Sequence, residues 1–142
     1  MPNRSLGEYI EALIDRLGAR EPEAVARIQH IVGTRTAQIS LDEASVIIKM
    51  SRRNLVVRDP LDNDHADGFG RTDYRTVLAL LDGHQELNDV IMNGRLEIIG
   101  ESTSLLRMLI SIEILLDGSS RIPELQELAQ EFREQWPLRS RN

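Results

Sequence analysis

The chain has 142 residues, 41% hydrophobic and 28% charged, with a net charge of −6 and no cysteine. That length allows a hydrophobic core of useful size, and the balance is that of an ordinary soluble protein. The acid excess argues against a nucleic-acid surface and against steady adsorption on anionic membranes, and the lack of cysteine excludes disulfides and thiolate chemistry.

Ser5 and Glu8 form a capping-box pattern, in which each side chain satisfies a free amide of the first turn. Leu6, Tyr9, Ile10, Leu13, Ile14 and Leu17 follow at helical spacing, and Gly18 is read as the stop. This charged segment lacks the uninterrupted apolar core of a signal peptide. Pro22 suits the first turn of a second helix, where its missing N–H would be unpaired anyway. Val25, Ile28 and Val32 form that helix's stripe and Gly33 closes it.

The period then changes to two. Ala37, Ile39 and Leu41 alternate with Gln38 and Ser40. Residues 45–50 and 54–58 are rich in β-branched side chains and read as two more strands, joined by a turn at Ser51, Arg52 and Arg53. Residues 59–71 form a polar loop whose end, from Gly68 to Thr72, is a candidate further strand. Asp73 or Thr72 caps a helix over 74–81 that Gly83 ends; a second, over 85–92, carries Leu87, Val90 and Ile91 on one face and stops at Gly94.

Residues 95–99 read as a strand, Gly100 as a turn, and Ser102 or Thr103 as the cap of the next helix. There Leu105, Leu106, Met108, Leu109, Ile110, Ile112, Ile114, Leu115 and Leu116 wrap most of the way round, whereas a surface helix shows only a stripe. The run is too short to span a bilayer and contains Arg107 and Glu113, so no stable membrane insertion is expected. Core, an apolar ligand or a partner subunit can cover its second face. A last helix starts at Pro123 and carries Leu125, Leu128, Ala129, Phe132 and Trp136, with Pro137 as its stop and 138–142 as a frayed tail. Strands clustered between helices predict an α+β fold: a small antiparallel or mixed sheet of four to five strands packed with helices. A single domain over 1–142 is expected, with a helical hairpin over 1–33, the sheet and two short helices over 34–100, and C-terminal helices over 101–137.

No catalytic constellation emerges. The acidic loop fails the calcium register: counted from Asp62, position five is Ala66, and counted from Asn63, position twelve is Tyr74. His30, His65 and His84 lack zinc-helix spacing; Ser102, Thr103 and Ser104 lack the glycines of a nucleophile turn; Gly68-Phe69-Gly70 lacks the third glycine of a nucleotide loop. Arg52 and Arg53 read as solvated. No metal, cofactor or nucleic-acid partner is therefore expected.

The stretch from Thr72 to Leu116 resembles the C-terminal half of the sterol carrier protein (SCP-2-like) lipid-binding domain, matching its order and spacing at Asp73, Thr76, Val77, Leu80, Leu81, Gly83, Gly94, Leu96, Ile98 and Gly100. The resemblance implies a non-catalytic module that holds an apolar small molecule, such as a fatty acid, acyl chain or other lipid, in a tunnel between sheet and helices; a cytoplasmic location is expected from the lack of a signal-like or membrane-spanning run. Leu80, Leu81, Leu87, Ile91, Leu105, Met108, Leu109 and Ile112 are the lining it implies. The alternative is a protein-interaction or regulatory module of the same fold with a filled core, acting as a homodimer or accessory subunit. Tyr9, Leu13, Phe132 and Trp136, on the two terminal helices, are the apolar residues from which a dimer is expected.

Overall fold

The computed structural model describes residues 4–51, 54–61 and 65–139. The capping box forms at the head of α1 (Leu6–Arg20): Ser5 Oγ accepts the Glu8 amide at 3.2 Å, and the Glu8 carboxylate accepts the Ser5 amide at 2.8 Å. Gly18 is not the stop. It lies inside the helix, where a Cβ would stand 3.3 Å from Val25 Cγ2, so its lack of a side chain lets α2 (Pro22–Val32) pack close. The helix instead runs on to its C-cap at Glu21, just before Pro22.

Five strands form one mixed sheet: β1 (Thr36–Leu41), β2 (Ala44–Ser51), β3 (Asn54–Arg58), β4 (Gly68–Thr72) and β5 (Glu97–Gly100), in the order β3-β2-β1-β4-β5. The candidate fifth strand is real, and as β4 it pairs parallel with β1 while every other pair is antiparallel. Arg52 and Arg53, expected in a turn, lie outside the described residues, as do Asp62, Asn63 and Asp64 of the acidic loop. Asp67, from the same loop, accepts the Thr36 amide at 2.8 Å and so ties the loop to the sheet.

Register assigns the two faces. Val57, Ile48, Ala37, Gly68 and Gly100 make one cross-strand row, and Val46, Ile39, Gly70 and Ile98 make the next on the same face. That face carries the helices. The opposite face shows the row Arg58, Ile47, Gln38, Phe69, Ile99, in which Phe69 and Ile99 are exposed.

The remaining helices are α3 (Tyr74–Leu81), α4 (Leu87–Met92), α5 (Ser102–Arg121) and α6 (Pro123–Arg139). Asp73 caps α3 by accepting the Thr76 amide, and Gly83 and Gly94, at φ of 75° and 80°, follow α3 and α4 in the left-handed conformation that suits glycine. The second short helix begins at Leu87, not at residue 85, and β5 begins at Glu97, not at residue 95. Neither Ser102 nor Thr103 caps α5; its N-cap is Glu101, with no side-chain cap bond, and the helix runs beyond Leu116 to Arg121.

Pro137 does not end α6, which continues to Arg139; residues 140–142 lie outside the described residues. A proline leaves the carbonyl four residues earlier without its helical donor. That carbonyl belongs to Arg133, and the Tyr74 hydroxyl donates to it instead.

Tyr9, Phe132, Trp136 and Tyr74 form one aromatic cluster, with ring centroids 5.3 Å apart for Tyr9–Phe132 and 5.4 Å for both Tyr74–Phe132 and Phe132–Trp136. Trp136 is only 2% exposed, and Tyr9 and Phe132 are also buried. The apolar residues from which a dimer was expected are thus largely covered within one chain, with Leu13 half-buried beside them. They are core, and the argument for a dimer drawn from them fails.

Asp42, in the β1–β2 turn, joins this cluster to the sheet. Its Oδ2 accepts the Trp136 indole N–H at 2.8 Å and its Oδ1 the Tyr74 amide at 3.3 Å. Its φ of 54° is left-handed, a conformation that Asp and Asn tolerate better than most residues. Asp42→Asn keeps the left-handed backbone and one of the two acceptor oxygens, so it should cost less than Asp42→Ala. Asp42→Ala should lose about 1–3 kcal/mol in urea unfolding, because it strands a buried donor. Equal stability for the two variants would refute this account of the turn.

Candidate functional site

The apolar wrap of α5 has a structural origin: the helix lies between two hydrophobic clusters. On one side Ile114 and Leu115 pack against Leu17 of α1, Ile28 of α2, Ile122 at the end of α5 and Leu125 of α6. Gly118 permits that contact, since a Cβ there would stand 3.0 Å from Leu17 Cδ1. Polar ties hold the same side: Arg35 donates to Ser104 Oγ at 2.9 Å, and Arg107 donates to the Ile31 carbonyl.

The other side carries Leu105, Met108, Leu109 and Ile112, spaced as one helical stripe. Leu109 and Ile112 join a cluster centred on buried Leu87, Val90 and Leu96, with Leu80, Ile91 and Ile98 around it. Met108 lies on β4. Its Sδ is 2.7 Å from where a Cβ would stand on Gly68, and its Cε is 3.4 Å from the same point on Gly70. Two glycines two apart on a strand share a face, so they leave a strip of bare backbone under the methionine.

Five of the eight expected lining residues, Leu80, Leu87, Ile91, Leu109 and Ile112, therefore meet in one cluster. Met108 sits beside it on the glycine strip, and Leu81 and Leu105 are half-buried outside it. Sequence reasoning missed Val90, Leu96 and Ile98 as members, and it missed Gly68 and Gly70. The alternate spacing of those glycines was the available signal once Gly68–Thr72 was read as a strand.

The burial pattern of α5 is unusual. Its fully buried residues are Ser104 and Gly118. Leu105, Met108, Leu109, Ile110, Ile112, Ile114, Leu115 and Leu116 are all only half-buried, and Leu106 is 59% exposed. The long apolar run of α5 thus keeps every large apolar side chain partly open.

The groups whose titration is perturbed lie outside this cluster and have local causes. Hydrogen bonding to Ser5 lowers Glu8, Arg121 lowers Glu21, and Arg20 lowers Glu124. Burial pushes the Tyr9 phenol up to about 12, reinforced by the nearby Glu131 carboxylate, and its hydroxyl has no well-formed hydrogen bond among the described residues. Among those residues no three His, Asp or Glu side chains gather as metal ligands, and no helix is long and apolar enough to cross a membrane.

A separate cleft of about 590 Å³ lies between the start of α1 and the β2–β3 edge of the sheet, with Leu6, Glu8, Glu11, Val57 and Asp59 in its walls. It contains none of the eight expected lining residues.

No family model matches the sequence, and no curated protein matches it significantly. Solved structures do match. A structure described as "UbiJ-SCP2 Ubiquinone synthesis protein" superposes with a TM-score of 0.58 at 22% identity, over 78% of this chain and 95% of that one. The fold is that of a sterol carrier protein 2 domain. Sterol carrier protein domain 2 of Helicoverpa armigera gives a TM-score of 0.55 at 10% identity, over 81% of this chain and 95% of that one. Apo sterol carrier protein 2 of Yarrowia lipolytica gives 0.51 at 16%, over 85% and 99%. At such identities the likeness is one of fold. Within this sterol carrier fold, Met108 on the glycine strip sets how closely α5 approaches β4.

A double-mutant cycle checks that contact. Gly68→Ala should destabilise the wild type by about 1–3 kcal/mol through overpacking. The same change should cost clearly less in a Met108→Ala background, where the thioether is gone. Additive effects would show that the two residues do not meet.

Proposed function

We propose that this chain is a non-catalytic, cytoplasmic binding module that holds a fatty acid, acyl chain or other lipid between the β4–β5 end of the sheet and α3, α4 and α5. Leu80, Leu81, Leu87, Ile91, Leu105, Met108, Leu109 and Ile112 line the site. The observation that carries the reading is α5 itself, whose large apolar side chains all remain partly open although the helix lies between two clusters. An apolar ligand would complete the burial that the protein leaves unfinished, at roughly 25 cal/mol per Å² before association costs are subtracted. Such a site needs shape and apolar surface more than charge. The printed names of the fold neighbours, which speak of sterol carriage and ubiquinone synthesis, agree with apolar cargo.

The second reading is an interaction module of the same fold, as a homodimer or accessory subunit. It is favoured by the five expected lining residues that already pack on one another, and by the exposed Phe69 and Ile99 on the helix-free face.

Leu109→Trp separates the two. In a ligand site the indole takes the ligand's place, so binding of a fluorescent fatty acid should be lost while the melting temperature barely moves. In a filled core the same change overpacks and costs about 1–3 kcal/mol. A wild type that binds no acyl probe, together with a variant that melts many degrees lower, would transfer the case to the interaction module.

A further inference from the structure

We propose that the outer edge of β3, with the acidic cleft beside it, receives an extended basic segment of another protein as a sixth strand. β3 ends the sheet order, so among the described residues β2 is its one strand neighbour. Its central residues, Leu55, Val56 and Val57, are apolar, the strand contains no proline, and its one charge, Arg58, stands at its end and leaves the centre unblunted. An edge of that kind is a template for strand addition, in which backbone hydrogen bonds give affinity and alternate side chains give selectivity.

The cleft stands on the helix side of this edge. Gly7 seats the first turn of α1 directly on the strand: a Cβ there would stand 3.0 Å from Val57 Cγ1. Glu8 and Glu11 project from that turn into the cleft wall, and Asp59 closes it at the end of β3. Asp15 continues the line along α1 at the next helical step, and Glu8, Glu11 and Asp15 are all exposed. Among the described residues Arg58 is the cation in the wall, and it is already engaged, donating to the Asp59 carbonyl at 3.2 Å. The floor, from Leu6, Val46 and Val57, is apolar.

Charge chooses the occupant. A second copy of this chain docked edge to edge would bring the α1 row of Glu8, Glu11 and Asp15 up to the same row of its partner, in a protein already at −6. Like charges brought together across an interface select against that pairing. The same carboxylates disfavour nucleic acid and anionic lipid. An extended segment with Lys or Arg at alternate positions fits both features: its backbone completes the sheet, and its cations face α1 on every second residue.

The test uses the full chain and a fluorescein-labelled peptide of alternating lysine and valine, with a glutamate–valine peptide of the same length as control. Saturable binding of the basic peptide is expected, weakening from roughly 0.05 M to roughly 0.3 M salt. Amide shifts in the NMR spectrum should concentrate at residues 55–58. Glu11→Lys combined with Asp59→Lys should weaken binding by about tenfold or more. Both residues are solvent-facing or on the cleft wall, so the melting temperature should hold; if the double variant does not fold, the acidic control peptide still decides. Equal binding of the two peptides, no binding of either, or shifts centred on Phe69 and Ile99 would each overturn the proposal.

Discussion

How near α5 can come to the sheet is decided on β4. Gly68 and Gly70 occupy the inner face of that strand, and Met108 rests where their side chains would have been. With ordinary side chains there, the helix would have to stand further off, and Leu109 and Ile112 would lose their reach to Leu87, Val90 and Leu96. The opposite side of α5 obeys the same rule. Gly118 lets it approach Leu17 and Leu125, and Gly18 does the same between α1 and α2. Small residues set the distances, and the branched apolar side chains fill what is left. The apolar site therefore depends on a few atoms being absent from β4 and α5.

Much of this was legible in the sequence, because the local chemistry and the final fold agree. The capping box at Ser5 and Glu8, the Asp73 cap and the glycines after α3 and α4 act where their chemistry predicts. The misreadings have a common physical form: a residue that locally signals a break was given another role by tertiary contact. Gly18 serves helix packing, and Pro137 stays inside α6 while the Tyr74 hydroxyl donates to the carbonyl that its ring leaves without a helical partner. Asp42 gave no local hint that it would accept from Trp136, ninety-four residues away along the chain. Trp136 itself reads equally well as core or as interface until its neighbours are known.

For the candidate site, the sequence singled out α5 and the pair of short helices that pack with it. It did not reveal that α5 serves two clusters at once. A helix apolar all round meets the same periodicity test whether protein, ligand or partner covers it. The structure divides the helix into a side held by α1, α2 and α6, a side over β4, α3 and α4, and an outer rim at Leu106, Glu113 and Asp117. The chemistry at the two ends of the sheet also differs. The β4–β5 end, under α5, is apolar, whereas the β3 end of the sheet is lined with carboxylates.

The most direct measurement is native mass spectrometry of the protein purified without detergent, followed by solvent extraction and identification of whatever was bound. A module whose apolar helix is completed by cargo should carry an acyl or isoprenoid lipid in near-stoichiometric amount, released on unfolding and returned by incubation with the extract. A bare chain that takes up neither the extract nor an acyl probe would contradict the account, and the open side chains of α5 would then belong to a protein interface.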